Sequence, residues 1–121
     1  MNTLQAPRAV VMVRPHHFRS NPQTSGDNAF QTTGTQSAMD TSKAALAEFD
    51  RAVHSLRDAG VVTHVFDDTG TETPDSVFPN NWLSTHTGGQ IAIYPMYAAN
   101  RRKERRWDII EMLKQQYRVQ D

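Results

Sequence analysis

The stretch Asp75-Ser76-Val77-Phe78-Pro79-Asn80-Asn81-Trp82 gathers one carboxylate and two primary amides around an apolar pair. An ionised carboxylate only accepts hydrogen bonds, whereas an amide both donates and accepts. Alternation along an extended segment would put Asp75, Val77 and Pro79 on one side, with Ser76, Phe78 and Asn80 on the other. The same residue types also suit a plain loop leading into a strand, with Asn and Asp satisfying nearby backbone groups. A second concentration is cationic: Arg101, Arg102, Lys103, Arg105 and Arg106, with Glu104 among them. Arg101 to Lys103 fall in the first turn of an expected helix, where the macrodipole disfavours cations unless an anion binds there too. A solvated charged face, partly neutralised by Glu104, accounts for the run equally well. The histidines offer less. His16-His17 has no carboxylate or cysteine partner at ligand spacing, so no metal site is expected. His54 sits at a helix edge, His64 points outward from a strand, and an isolated His86 gives no general-base argument.

The elements that must position these residues follow from pattern. Ala9-Val10-Val11-Met12-Val13 is a β-branched apolar run, expected as a buried strand that Pro15 ends. Pro15 to Met39 is polar and aperiodic, a long loop with Phe18, Phe30 and Met39 as anchors. Leu46, Phe49, Val53 and Leu56 form a helical stripe, capped at its start by Asp40, Thr41 or Ser42 and closed by Gly60. Val61 to Phe66 reads as a second strand, giving a βαβ-type unit whose strand direction the pattern leaves open. Gly88-Gly89 separates the Trp82–His86 stretch from Gln90–Tyr94, a hairpin signal. A single helix is expected from about Asn100 to Tyr117, with Trp107, Ile110, Leu113 or Lys114, and Tyr117 on one face, widened by Ile109 and Met112.

Composition excludes more than it selects. Basic and acidic residues number 13 each, so no bulk charge favours nucleic acid or an anionic membrane. The apolar run 9–13 is too short to span a membrane or to serve as a signal peptide. The 121 residues include no cysteine, which removes disulfides and any thiolate of the chain's own. A cytoplasmic setting is the default, and a homodimer is among the assemblies left open.

The Asp75–Trp82 stretch resembles the Asp-Ser-Val-Phe-x-Glu-Asp segment of dimethylarginine dimethylaminohydrolases. It is closer still to the Phe-Pro-Asn-Asn-Trp segment of citrulline-hydrolase-like relatives in the amidinotransferase (pentein) superfamily. Three further stretches look like the same branch: Met12-Val13-Arg14-Pro15; Asn21-Pro22-Gln23-Thr24 leading to Asn28-Ala29-Phe30-Gln31; and Tyr94-Pro95-Met96 leading to Asn100 through Arg106. Four ordered matches across nearly the whole chain are more specific than any one alone.

The resemblance implies an α/β fold, a pentein propeller of about five ββαβ-like modules around a substrate channel. Residues 1–121 would be an N-terminal fragment of one such catalytic domain, supplying roughly its first two modules. It implies that Asp75, with the positions of Asn80 and Asn81, holds the guanidino plane, where relatives carry an acidic pair. Two asparagines there suit a neutral ureido group, so citrulline-like substrates are expected over arginine-like ones. Arg101 or Arg102 would grip the substrate α-carboxylate, and Phe18 and Asn21 would help close the channel. The family reaction uses a cysteine thiolate and a histidine, with no metal or organic cofactor. Both catalytic residues would lie beyond Asp121, leaving this chain inactive alone, with exposed apolar surface. An amidinotransferase, a relative without catalysis, and a small anion- or RNA-binding module are the alternatives.

Overall fold

The computed structural model describes residues 7–21, 23 and 38–117. They form a mixed α/β arrangement of short elements. Strand β1 (Ala9–Pro15), helix α1 (Ala38–Asp58) and strand β2 (Val62–Asp68) come first. A 3-10 turn (Pro79–Asn81), strands β3 (Leu83–His86) and β4 (Gln90–Ile93), and helices α2 (Ala99–Arg102) and α3 (Trp107–Gln116) follow. The expected anchor Phe30 and the stretch Asn28–Gln31 lie outside the described residues.

The first unit is a true βαβ. Strands β1 and β2 pair in parallel, Ala9 opposite Val62 through Pro15 opposite Asp68, settling the direction that pattern left open. Helix α1 packs on both strands. Of its expected stripe, Phe49 and Val53 are buried, while Leu46 and Leu56 are half-buried. The helix begins ahead of the expected caps, which places Asp40 inside its first turn, where the macrodipole favours an acid. Ser42 instead donates its hydroxyl to the His16 carbonyl at 2.6 Å, fastening α1 to the end of β1. At the far end Gly60 adopts φ 87°. Its N–H bonds to the Arg57 carbonyl and the Val61 N–H to the Leu56 carbonyl, a Schellman closure that turns the chain straight into β2.

The second unit is an antiparallel hairpin, Leu83 opposite Ile93 and His86 opposite Gln90. Gly88 and Gly89 both hold positive φ at its tip, a region L side chains rarely occupy. The single helix expected over residues 100–117 is two helices. The chain breaks at Lys103–Arg106, because Glu104 turns inward to Arg101 while Arg105 and Arg106 donate to the Tyr94 and Asp67 carbonyls. The apolar face of α3 is rotated accordingly. Ile109, Ile110 and Leu113 join Val13, Trp82 and Leu83 in the core, whereas Trp107 is 69% exposed. Tyr97, Phe78 and Tyr117 are exposed as well, in keeping with the apolar surface expected of this chain. Among the described residues, no helix is long and apolar enough to cross a membrane.

Candidate functional site

Three loops meet at the C-terminal end of the β1–β2 pair. The segment after β1 brings Asn21, the segment after β2 brings Asp75 and the 3-10 turn, and α2 brings Asn100 and Arg101. The Asp75–Asn81 stretch is not extended. Turns run from Pro74 to Val77 and the 3-10 turn from Pro79 to Asn81, so the expected two-sided alternation does not occur. Its cause is Asp68, whose carboxylate accepts from Thr73 Oγ1 at 2.7 Å and from Ser76 Oγ at 2.5 Å, winding the loop around the end of β2.

Asn21 is completely buried. Its Nδ2 donates to Asp75 Oδ2 at 2.8 Å and to Asn100 Oδ1 at 3.0 Å. Its Oδ1 accepts from Asn100 Nδ2 at 2.8 Å and from the Gln23 backbone N–H at 2.9 Å. Both amide hydrogens and both lone pairs are thereby used. Gln23 completes the junction by accepting the Asn100 backbone N–H at 3.0 Å.

Arg101 lies beside this junction, its Nε 3.8 Å from Asp75 Oδ2. Glu104 takes it in a fork, with Nε and Nη2 donating to the two carboxylate oxygens at 2.9 and 3.1 Å. Nη2 also donates to Asn81 Oδ1 at 2.9 Å. The Glu104 side chain has no exposed area. Burial pushes its carboxyl above the usual range; the Arg101 guanidinium opposes that push, and the nearby Asp75 and Asp68 carboxylates add to it. Among the described residues no partner engages Arg101 Nη1, Asp75 Oδ1, Asn81 Nδ2 or the Asn80 side chain. Their hydrogen-bonding capacity is unspent.

Asp75, Asn81 and Arg101 are therefore brought together, joined by Asn21, which lies at the centre of the cluster and not at a channel mouth. Arg102 is turned away: its guanidinium donates to the Met96 and Tyr97 carbonyls and braces the loop before α2. Phe18 and Asn80 line a different hollow, an open apolar groove of about 980 Å³ bounded also by Met12, Phe49 and Phe78. Helix α2 is a single turn, too short for its dipole to draw an anion to Arg101 and Arg102. Glu104 and Asn100 join the cluster without a sequence motif of their own, beyond an acid set inside a basic run. The histidines stand apart: His16 on Asp67, His54 on Asp58, His64 on Tyr117 and His86 on Ser84. No group of three metal-ligating side chains occurs among the described residues.

No curated protein and no solved structure matches the chain. The family model described as N,N dimethylarginine dimethylhydrolase, eukaryotic, matches residues 14–121, a span that holds every member of the Asp75–Arg101 cluster. The chain belongs to that N,N-dimethylarginine dimethylhydrolase family.

Proposed function

We propose that this chain is the substrate-gripping part of a hydrolase acting on the guanidino or ureido carbon of an arginine-like amino acid. The observation that carries the reading is the pairing of a carboxylate with a fork-held guanidinium, 3.8 Å apart, each with an unengaged edge. Asp75 Oδ1 can accept from an ammonium or guanidinium, and Arg101 Nη1 can donate to a carboxylate. Asn81, hydrogen-bonded to the same guanidinium at 2.9 Å, supplies the amide contact for the ligand's ureido or guanidino group.

Asn81 bears on substrate choice. Arginine can only donate, so the atom facing Arg101 is Oδ1 and the atom left for a ligand is the Nδ2 donor. A ureido oxygen accepts from that donor; a guanidinium offers it nothing. The site therefore favours citrulline-like over arginine-like ligands. The family description supports a second reading, in which the substrate is a methylated arginine and the ureido compound is its product.

Chemistry in this reading follows covalent catalysis: a thiolate attacks the planar carbon, a histidine protonates the departing amine, and water releases the product. The 121 residues hold no cysteine, so their part is to bind and orient, within one domain of pentein type. Titration of the chain with citrulline, arginine and dimethylarginine, followed by backbone amide shifts, tests the assignment. Binding should order as citrulline tightest, with shifts centred on Asp75, Asn81 and Arg101. Tighter arginine binding would overturn the preference, and no shift with any of the three would overturn the site.

A further inference from the structure

Asp75 cannot hold its own orientation. It sits in a turn between two loops, and its 3.8 Å approach to Arg101 is too long for a hydrogen bond. The one hydrogen bond on its carboxylate from within the described chain comes from Asn21 Nδ2 at 2.8 Å. That bond falls on Oδ2 and leaves Oδ1 without a partner among the described residues. The donor itself is fixed with unusual completeness: Asn21 is 0% exposed, and its reciprocal bonds with Asn100 close a ring of two primary amides. Asn100 immediately precedes Arg101 and is anchored through its own backbone to Gln23. One side chain thus spans from the carboxylate to the residue that precedes the guanidinium-bearing Arg101 in α2.

The choice of an amide matters. A lysine or arginine at position 21 would neutralise Asp75 and compete with a cationic ligand group, whereas an aspartate would repel it. An amide orients the carboxylate by a hydrogen bond and leaves its full charge for the ligand. Burial makes the arrangement stiff, since every alternative rotamer would strand a polar group away from water.

We infer that Asn21 is the positioning residue of the ligand site, setting the spacing of Asp75 and Arg101 through its amide ring with Asn100. The inference rests on the reading of Asp75 and Arg101 as ligand-binding groups. Asn21 touches no ligand; its effect passes through Asp75.

A double-mutant cycle in the full 121-residue chain tests this, with citrulline as the ligand and thermal unfolding recorded for each variant. N21A should weaken binding by about 10- to 100-fold, the scale of one hydrogen bond to a charged group. In a D75N background, N21A should cost no further affinity, because the carboxylate it orients is already gone. A merely structural asparagine would cost the same affinity in both backgrounds, and that result overturns the inference. Should N21A fail to unfold cooperatively, N21D keeps the volume and serves instead. It should bind weakly at neutral pH, where a carboxylate replaces the donor facing Asp75, flanked by Arg101 and Glu104. It should recover on acidification, when an O–H on residue 21 restores a donor; no recovery counts against the inference. If the wild-type chain and D75N bind citrulline equally, the reading of Asp75 is what fails; if D75N weakens binding and both Asn21 variants do not, only the role of Asn21 fails.

Discussion

Asn21 and Asn100 exchange reciprocal side-chain hydrogen bonds of 3.0 and 2.8 Å across 79 residues of sequence. This closed amide pair joins the loop after β1 to the start of α2 without any charge. N100A removes both bonds and leaves the buried Asn21 amide partly unsatisfied. Its expected cost is about 2 to 3 kcal/mol, the combined loss of net bonding and of one buried partner. Chemical denaturation of N100A against wild type measures it. A change below about 0.5 kcal/mol, the range of ordinary surface substitutions, would show that water replaces the ring freely.

Two acids should leave opposite marks on stability against pH. Hydrogen bonds from His16, then Arg14, hold Asp67 below the usual carboxylate value, so the unfolded chain binds its proton first as pH falls. Its contribution is present above the unfolded value near 3.8 and is lost as pH falls through the folded one. Glu104 is raised by burial, so the folded state holds its proton at higher pH than the unfolded state. Stability from that group is fullest below the unfolded value near 4.5 and declines as pH rises through the folded one. Denaturation at a series of pH values should show D67N with a shallower acid limb. E104Q should lack the decline on the rising side. An unaltered profile in E104Q would mean that the carboxyl is better solvated than its burial indicates.

The rotated face of α3 has a direct consequence. Ile109 is 0% exposed in the core beside Trp82 and Leu113, while Trp107, three residues after the inward-turned Glu104, is 69% exposed. I109A should cost about 2 to 5 kcal/mol through lost burial and the cavity left behind. W107A should stay within about 0.5 kcal/mol of wild type. Equal losses would mean that Trp107 belongs to the core after all. Thermal or denaturant unfolding of the two variants decides it.

These elements differ in how far local sequence could reveal them. The strands, the α1 stripe, Gly60 and the Gly88-Gly89 hairpin rest on periodicity and turn chemistry within a few residues, and each is visible in the chain itself. The break in the last helix is not. Its cause includes Arg105 and Arg106 donating to the Tyr94 and Asp67 carbonyls, contacts that no window of residues 100–117 contains. The same holds for Asn21, whose partners Asp75 and Asn100 lie 54 and 79 residues away. In a loop of amides and hydroxyls it had no local mark to separate it from its neighbours. Arg101 and Arg102 were indistinguishable by sequence, and tertiary placement alone separates a side chain forked on a buried glutamate from one spent on backbone carbonyls.

That separation gives a paired test. R101K keeps the charge but cannot fork onto Glu104 while reaching Asn81, so ligand affinity should fall at least about tenfold, with a loss of stability alongside. R102A should loosen the Met96–Tyr97 loop and lower the unfolding temperature, yet leave affinity within about threefold once the folded fraction is matched. Calorimetric titration with citrulline reads both. A larger affinity loss in R102A than in R101K would reassign the carboxylate contact.

Asn81 offers the sharpest change of specificity for the least disturbance. In N81D one carboxylate oxygen can still accept from Arg101 Nη2, so the 2.9 Å contact survives as an ion pair. The other position changes from an N–H donor to an anionic acceptor. A ureido oxygen then meets a like dipole, and a guanidinium meets a partner that can take its hydrogen and part of its charge. The ratio of citrulline to arginine affinity should move toward arginine by at least about tenfold, the worth of one charge-assisted bond. Since the substitution sits at 3-10 turn position 81, on an exposed residue, the fold should be nearly unaffected. Parallel titrations of both ligands into wild type and N81D measure the ratio. An unchanged ratio would mean that the Asn81 amide does not face the ligand's ureido or guanidino group.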